Sequence, residues 1–140
     1  MMARRTGSFA GFSEASDQLR SMGKAMSRGV GRKALDVPAQ MLARSVRRNT
    51  PVLTGETYES VDVERAKQKG GVAVQVVAAD IAAVQLEFGN DDQEATPFFR
   101  PAIDSGAGER DKAFADALMI ETDSAVIRKA ARDARKQAKG

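Results

Sequence analysis

The sharpest constraint on the fold is a change of hydrophobic period at residues 49–51. Up to Asn49, apolar residues recur at steps of three and four, which is the pattern of one face of an α-helix. The helix is expected to end there, because Thr50 precedes Pro51 and a residue before proline avoids the α region. Beyond Pro51 the pattern alternates with a period of two and β-branched residues accumulate, which favours strands. The sequence therefore predicts helices followed by β structure.

Two helices are expected before this change of period. The first covers residues 12–30 and the second covers residues 32–49. Residues 29–31, Gly-Val-Gly, are expected to separate them, because a glycine weakens a helix by up to about 1 kcal/mol relative to alanine. Pro38 requires a first-turn position or else kinks the helix, so the stable part of the second helix is expected to begin near Asp36.

A β-hairpin is expected next, with strands at residues 57–66 and 72–77. The segment between them, residues 67–71, ends in Gly-Gly and favours an antiparallel connection. Thr54 and Gly55 precede the first strand and are expected to form a turn in which glycine adopts a positive φ at little cost. Because a lone hairpin is marginal in water, it must pack on a helix or gain strands.

A short helix is expected after the hairpin, at residues 81–88. Asp80 can cap its N-terminus, and Gly89 is expected to end it. Phe88, at its last position, is expected to fill the core beneath the hairpin.

The C-terminal part is expected to be helical from Pro101, with a fresh start near Gly108. Its basic end, residues 128–140, is expected to fray, and residues 1–11 are expected to be flexible. One domain over residues 1–140 is the simplest organisation for this length. The predicted fold class is α+β: N-terminal helices packed on a small antiparallel β-sheet, a short middle helix and a C-terminal helix.

The composition excludes several kinds of site. The chain has no Cys and no His, which removes disulfides, thiolate or Ser-His nucleophiles and zinc sites with nitrogen or sulfur ligands. Asp91, Asp92 and Glu94 are close in sequence, but they lie on an expected solvated loop where nothing raises a pKa. We therefore expect no catalysis, no cofactor and no metal. No apolar run approaches the roughly 20 residues of a membrane span, so no membrane contact is expected either.

The charge is segregated along the chain. Residues 1–50 carry ten Lys/Arg against three Asp/Glu, a net charge of +7, whereas residues 51–110 carry five against eleven, a net charge of −6. Three interpretations stay open at this point: solvated helix faces, head-to-tail contacts between copies, and a basic surface for nucleic acid.

Residues 97–101, Pro-Phe-Phe-Arg-Pro, favour a role in packing and assembly. If the two prolines hold this segment extended, Phe98 and Phe99 point to opposite sides. One of them can then fill the core while the other is free for a neighbouring subunit. The alternative, in which both rings belong to the chain's own core, also stays open.

Two motifs together resemble a known family. Residues 48–60 read RNTPVLTGETYES, and residues 86–102 begin with Leu-Glu-Phe-Gly and end with Pro-Phe-Phe-Arg-Pro-Ala. This order resembles the tail-completion, or head–tail joining, family of long-tailed bacteriophages, over about residues 30–104. The chain departs from the family pattern at Ile81, where an aromatic residue is usual, and at Asn90, where threonine is usual.

The resemblance implies a structural protein of the virion neck or tail, made in the host cytoplasm. Such a protein joins or completes the tail for attachment to the DNA-filled head through a subunit ring, commonly sixfold. Its partners would be further copies of itself and the neighbouring head–tail connector and tail terminator. The alternative function is a non-specific DNA-binding accessory protein that uses the basic N-terminal helices, and only weak DNA contact is expected.

Two sets of residues are predicted to be important, one for structural turns and one for a subunit interface. The structural turns are assigned to Pro51, Thr54, Gly55 and Gly89. The candidate subunit interface comprises Phe98, Phe99, Arg100, Asp91, Asp92, Glu94, Arg44, Arg47 and Arg48.

Overall fold

The computed structural model describes Asp17, Arg20, residues 24–51 and residues 55–140. This part of the chain contains helices and one two-stranded β-sheet. The elements in chain order are α1 (Lys24–Asn49), α2 (Glu56–Ser60), β1 (Val61–Ala66), β2 (Ala73–Ala78), α3 (Ile81–Phe88), α4 (Phe99–Asp104) and α5 (Ala107–Lys139). The predicted α+β class is confirmed. The segment 1–11 and most of the first predicted helix lie outside the described residues.

Helix α1 runs through the break that the sequence predicts at Gly29 to Gly31, so that expectation is wrong. The helix continues because its buried face packs on α5, and such packing outweighs intrinsic propensity. A Cβ at Gly31 would lie 3.0 Å from Val72 Cγ2, so this glycine permits a close approach to the hairpin. Pro38 also lies inside α1 and not in a first turn.

The hairpin is antiparallel, with Val61 opposite Ala78 and Ala66 opposite Ala73. Its first strand begins later than predicted, because residues 56–60 form the helical turn α2. Gly55, with φ of 85°, precedes this turn in the left-handed region, and its carbonyl accepts a hydrogen bond from the Glu59 N–H at 2.9 Å. The positive φ predicted for Gly55 is confirmed, whereas Thr54 lies outside the described residues.

Two apolar clusters hold the elements together. The first joins α1, β1, α3 and α4 through the buried residues Ala43, Val46, Val61, Ala83, Leu86, Phe98 and Ala102. The second joins α1 to α5 through Val30, Ala34, Ala117, Leu118 and Ala125. Helix α1 therefore lies between the hairpin side and α5. Most of these side chains are alanine or valine, and among the described residues Phe98 is the largest fully buried side chain.

The C-terminal half corrects one further expectation. Residues 99–104 form α4, with Pro101 tolerated in its first turn, so the segment between the two prolines is not extended throughout. Helix α5 then starts afresh after Gly106, within two residues of the predicted start, and extends to Lys139. The fraying expected for residues 128–140 stays a prediction.

Candidate interface site

Glu87 ties the two sequence motifs together. Its Oε2 atom accepts hydrogen bonds from the backbone N–H groups of Phe98 and Phe99, and its Oε1 atom accepts one from Arg100, each at 2.9 Å. These N–H groups belong to the start of α4 and have no partner within that helix. Glu87 on α3 therefore caps α4 from outside and fixes its first turn against α3.

The electrostatics of Glu87 follow from this arrangement. Burial of the carboxylate opposes its ionisation, but the three backbone donors, with a smaller contribution from the Arg100 guanidinium, outweigh burial. The pKa of Glu87 is therefore lower than its ordinary value of 4.5. Sequence analysis missed this role, because a cap supplied by another helix leaves no local signature in the capped segment.

Gly89 is required where α3 turns into the following loop. Its φ is 71°, and its N–H bonds to the Gln85 carbonyl at 2.7 Å. A Cβ at this position would lie 2.8 Å from the Ala95 nitrogen and 2.9 Å from the Gln93 oxygen. The predicted end of the helix at Gly89 is confirmed, and the loop folds back so closely that only glycine fits.

The two phenylalanines occupy different environments. Phe98 is 1% exposed and belongs to the first apolar cluster, whereas Phe99 is half-buried and packs against that cluster from its edge. Their ring centroids are 6.1 Å apart with an interplanar angle of 66°, an edge-to-face contact. Of the pair, only Phe99 is left with surface that a neighbouring molecule can contact.

Helix α3 is apolar on two sides. Ala83 and Leu86 are buried against the core. Ile81, Val84 and Phe88, at spacing i, i+3 and i+7, form a second face, which we call the outer stripe. They are 83%, 63% and 71% exposed. Phe88 therefore does not fill the core as the sequence predicted, because it lies two residues beyond Leu86 and about 200° around the helix.

A groove adjoins the outer stripe. We call it the β2–α4 groove, and its volume is about 460 Å³. Its apolar wall includes Val76 and Ala78 from β2, Val84 and Phe88 from α3, and Phe99 and Ile103 from α4. Glu87 and Arg100 also line it, so one ion of each sign lies beside an otherwise apolar surface. The groove thus combines residues of the second motif with the hairpin.

The other residues predicted for the subunit interface do not form one cluster around the groove. Asp91, Asp92 and Glu94 are exposed on the loop after α3. Arg44 and Arg48 line a separate cleft between α1 and the start of α5.

Two side-chain hydrogen bonds stabilise the end of α1. Arg47 donates a hydrogen bond to the Val61 carbonyl and so joins the end of α1 to the start of β1. At the end of α1, the buried Thr50 hydroxyl donates to the Val46 carbonyl at 2.7 Å, just before Pro51.

Removing the carboxylate should test the Glu87 cap. We expect Glu87→Gln to lower the unfolding free energy by about 0.5–2 kcal/mol at neutral pH, because glutamine keeps only one acceptor oxygen. The pKa of Glu87 is lower in the folded state than in the unfolded state. The extra unfolding free energy of the wild type is therefore fully present above the unfolded pKa, and it is lost as the pH falls through the folded pKa, below 4.5. Urea unfolding of both proteins over this pH range measures the difference.

Glu94→Gln is the matched control, because Glu94 is exposed on the following loop. It should leave the unfolding free energy near the wild-type value. A Glu87→Gln protein with unchanged stability at every pH would contradict the cap.

Neither a candidate metal cluster nor a candidate membrane-spanning helix occurs among the described residues. No group of His, Cys, Asp or Glu there is arranged to hold a metal ion. Among the helices in this part of the chain, none combines the length and the apolar character needed to cross a membrane.

Comparison of the chain with protein-family models, with curated proteins and with solved structures gives no match. Function is therefore inferred from the chain's own motifs and from the geometry that they adopt.

Proposed function

We propose that this chain is a structural protein of the neck or tail of a long-tailed phage, with no catalytic step. In this role it completes or joins the tail for attachment to the DNA-filled head by forming a ring of subunits. The observation that carries the proposal is the outer stripe together with the β2–α4 groove. It is an apolar surface to which the second family-like motif contributes Phe88 and Phe99.

The outer stripe favours a protein partner because of its pattern. Large apolar side chains at helical spacing normally face a core, yet the outer stripe of α3 is exposed. Burying one large apolar side chain such as Phe88 stabilises an assembly by roughly 1.5–3 kcal/mol. Val84, Phe99 and Ile103 extend the same surface, so a neighbouring subunit would gain a contiguous contact.

The Glu87 cap supports the same interpretation, because it makes this surface rigid. It fixes α4 against α3, so Phe99 and Ile103 are held beside Val84 and Phe88 before any partner arrives. A surface that is already ordered loses less conformational entropy on binding. The Glu-Phe-Gly and Pro-Phe-Phe-Arg-Pro motifs thus act together to order this surface.

The charge distribution suits contacts between unlike surfaces of successive copies. The acidic middle of the chain contains the groove, while residues 1–50 carry a net charge of +7. A head-to-tail contact of this kind generates a ring when its rotation closes. Charge complementarity then steers association more than it adds affinity.

The groove can be tested with paired surface variants. We expect Phe88→Ser to shift the purified protein from a ring towards monomer, because the serine removes apolar area from the contact. Val84→Ser should act in the same direction. Light scattering after size exclusion, over a range of concentrations, measures the mass. Because both side chains are largely exposed in the monomer, the melting temperatures should stay near wild type.

Ile120→Ser is the matched control, since Ile120 is 64% exposed on α5 and lies outside the groove. It should leave the assembly intact. A wild-type chain that stays monomeric throughout, or an Ile120→Ser protein that dissociates as much as Phe88→Ser, would contradict the groove as the subunit contact.

A further inference from the structure

The end of α5 carries a strongly basic surface that the proposed ring does not use. Every residue from 126 to 140 is exposed. Six Lys/Arg against one Asp give this segment a net charge of +5. The cations are Arg128, Lys129, Arg132, Arg135, Lys136 and Lys139.

All six cations lie on one side of the helix. At about 100° per residue, their positions fall within an arc of about 120°. Arg128, Arg132, Arg135 and Lys139 follow one another at steps of four, three and four residues. They form a row about 17 Å long, at about 1.5 Å per residue. The opposite side carries Ile127, Ala130, Ala131, Ala134 and Ala138.

Helix stability does not explain this arrangement. Lys136 and Lys139 lie in the last turn, where cations offset the negative end of the helix dipole. Arg128 and Arg132 lie earlier, and like charges four residues apart destabilise a helix. The Lys129 ammonium forms an ion pair with the Asp133 carboxylate at 3.1 Å, but this pair does not offset the charge of the arginines. The row is thus suited to an anion supplied from outside.

We propose that this basic side of α5 binds duplex DNA through its phosphates, without preference for sequence. Duplex DNA carries one charge per roughly 1.7 Å of its axis, so about ten phosphates lie within the length of the row. Arginine side chains in a row can neutralise several of them at once and release counterions. This places DNA contact at the C-terminal end of α5, whereas the sequence alone pointed to the basic N-terminal helices.

The opposite side of the helix argues against a lipid surface. A helix that lies in a membrane interface buries large apolar side chains such as Trp, Phe or Leu. Beyond Ile127, this side of α5 carries alanines, which offer little area to bury. An anionic bilayer is therefore the poorer match, although it shares the negative charge.

The test compares two triple variants of the full chain with equal changes of charge. In the helix variant, Arg128, Arg132 and Arg135 are each replaced by glutamine, which keeps the helix propensity. In the matched control, Arg65, Lys67 and Lys69 of the hairpin, which are also exposed, are replaced by glutamine. Binding to a fluorescent DNA duplex of mixed sequence is measured by anisotropy at several salt concentrations, and circular dichroism verifies the fold.

We expect wild-type binding to weaken steeply as the salt concentration rises. The helix variant should bind at least about tenfold more weakly at low salt, and its slope of log K against log salt should be smaller by about 2–3, as expected for three lost phosphate contacts. The hairpin variant should stay close to wild type. Equal losses in both variants, or no duplex binding by the wild type at low salt, would overturn the proposal. The proposal would also fail if the protein did not bind the duplex but bound phosphatidylserine vesicles through the same three arginines.

Discussion

Phe98→Ala should remove about 3–5 kcal/mol from the unfolding free energy, the usual cost of truncating a buried phenylalanine. Phe98 is 1% exposed and is the largest fully buried side chain among the described residues. Its neighbours in the cluster include Ala43, Ala83 and Ala102, which are too short to fill the resulting cavity. Because a domain of this size is stable by only about 5–15 kcal/mol, a large fraction of the protein would unfold on mild heating.

Phe99→Ala serves as the companion variant. Its ring is half-buried and packs at the edge of the same cluster, so the loss of stability should be clearly smaller. Its larger effect should fall on assembly, because Phe99 lines the β2–α4 groove. Urea unfolding measures the first effect and light scattering the second. Equal losses of stability in the two variants would place both rings in the chain's own core.

The elements that could be predicted are those with strong local signals. Asn49, Thr50 and Pro51 end α1 as expected, since a residue before proline avoids the α region. Gly89 ends α3 for a similarly local reason, its positive φ. The antiparallel hairpin was also predictable, because its turn is rich in glycine and its strands in valine.

The elements that were predicted wrongly depend on distant contacts. The break expected at residues 29–31 does not occur, because Val30 is buried against α5, far away in the sequence. The helical turn α2 was predicted as strand. There the Thr57 hydroxyl donates to the Asp80 carboxylate across 23 positions of chain, and no short window of sequence contains both residues.

The candidate site was predicted only in part. The sequence identified the region of Phe98 and Phe99, because adjacent aromatics between prolines are conspicuous. It missed the Glu87 cap, whose donors lie 11 to 13 residues further along the chain. It also placed Phe88 in the core, since an eight-residue helix with two apolar sides does not reveal which side faces inward.

If the proposed neck role is right, a phage that lacks this gene should produce DNA-filled heads and separate tails. A joining protein supplies complementary surfaces repeated around a symmetric ring, and it performs no chemistry on either part. Many weak contacts then add together through effective concentration once the ring closes. Head maturation, DNA packaging and tail polymerisation should therefore proceed, while their union fails. Negative-stain microscopy of lysates and the titre of infectious particles measure the result.

Complementation of the mutant phage from a plasmid tests whether joining of heads and tails depends on the groove. Wild-type protein and Ile120→Ser should restore infectivity, whereas Phe88→Ser should not, because it weakens the subunit contact without unfolding the chain. Purified wild-type protein added to the mutant lysate should likewise unite some heads and tails, since both parts are already complete.

Other outcomes would contradict particular steps of the proposal. Empty proheads in the mutant lysate would indicate a role in DNA packaging, because heads fill before the tail is attached. Intact infectious particles would show that the protein is no part of the neck. Full rescue by Phe88→Ser would leave the neck role standing but would remove the outer stripe from it. In that case the ring would have to close through surfaces other than the β2–α4 groove, such as the cleft lined by Arg44 and Arg48.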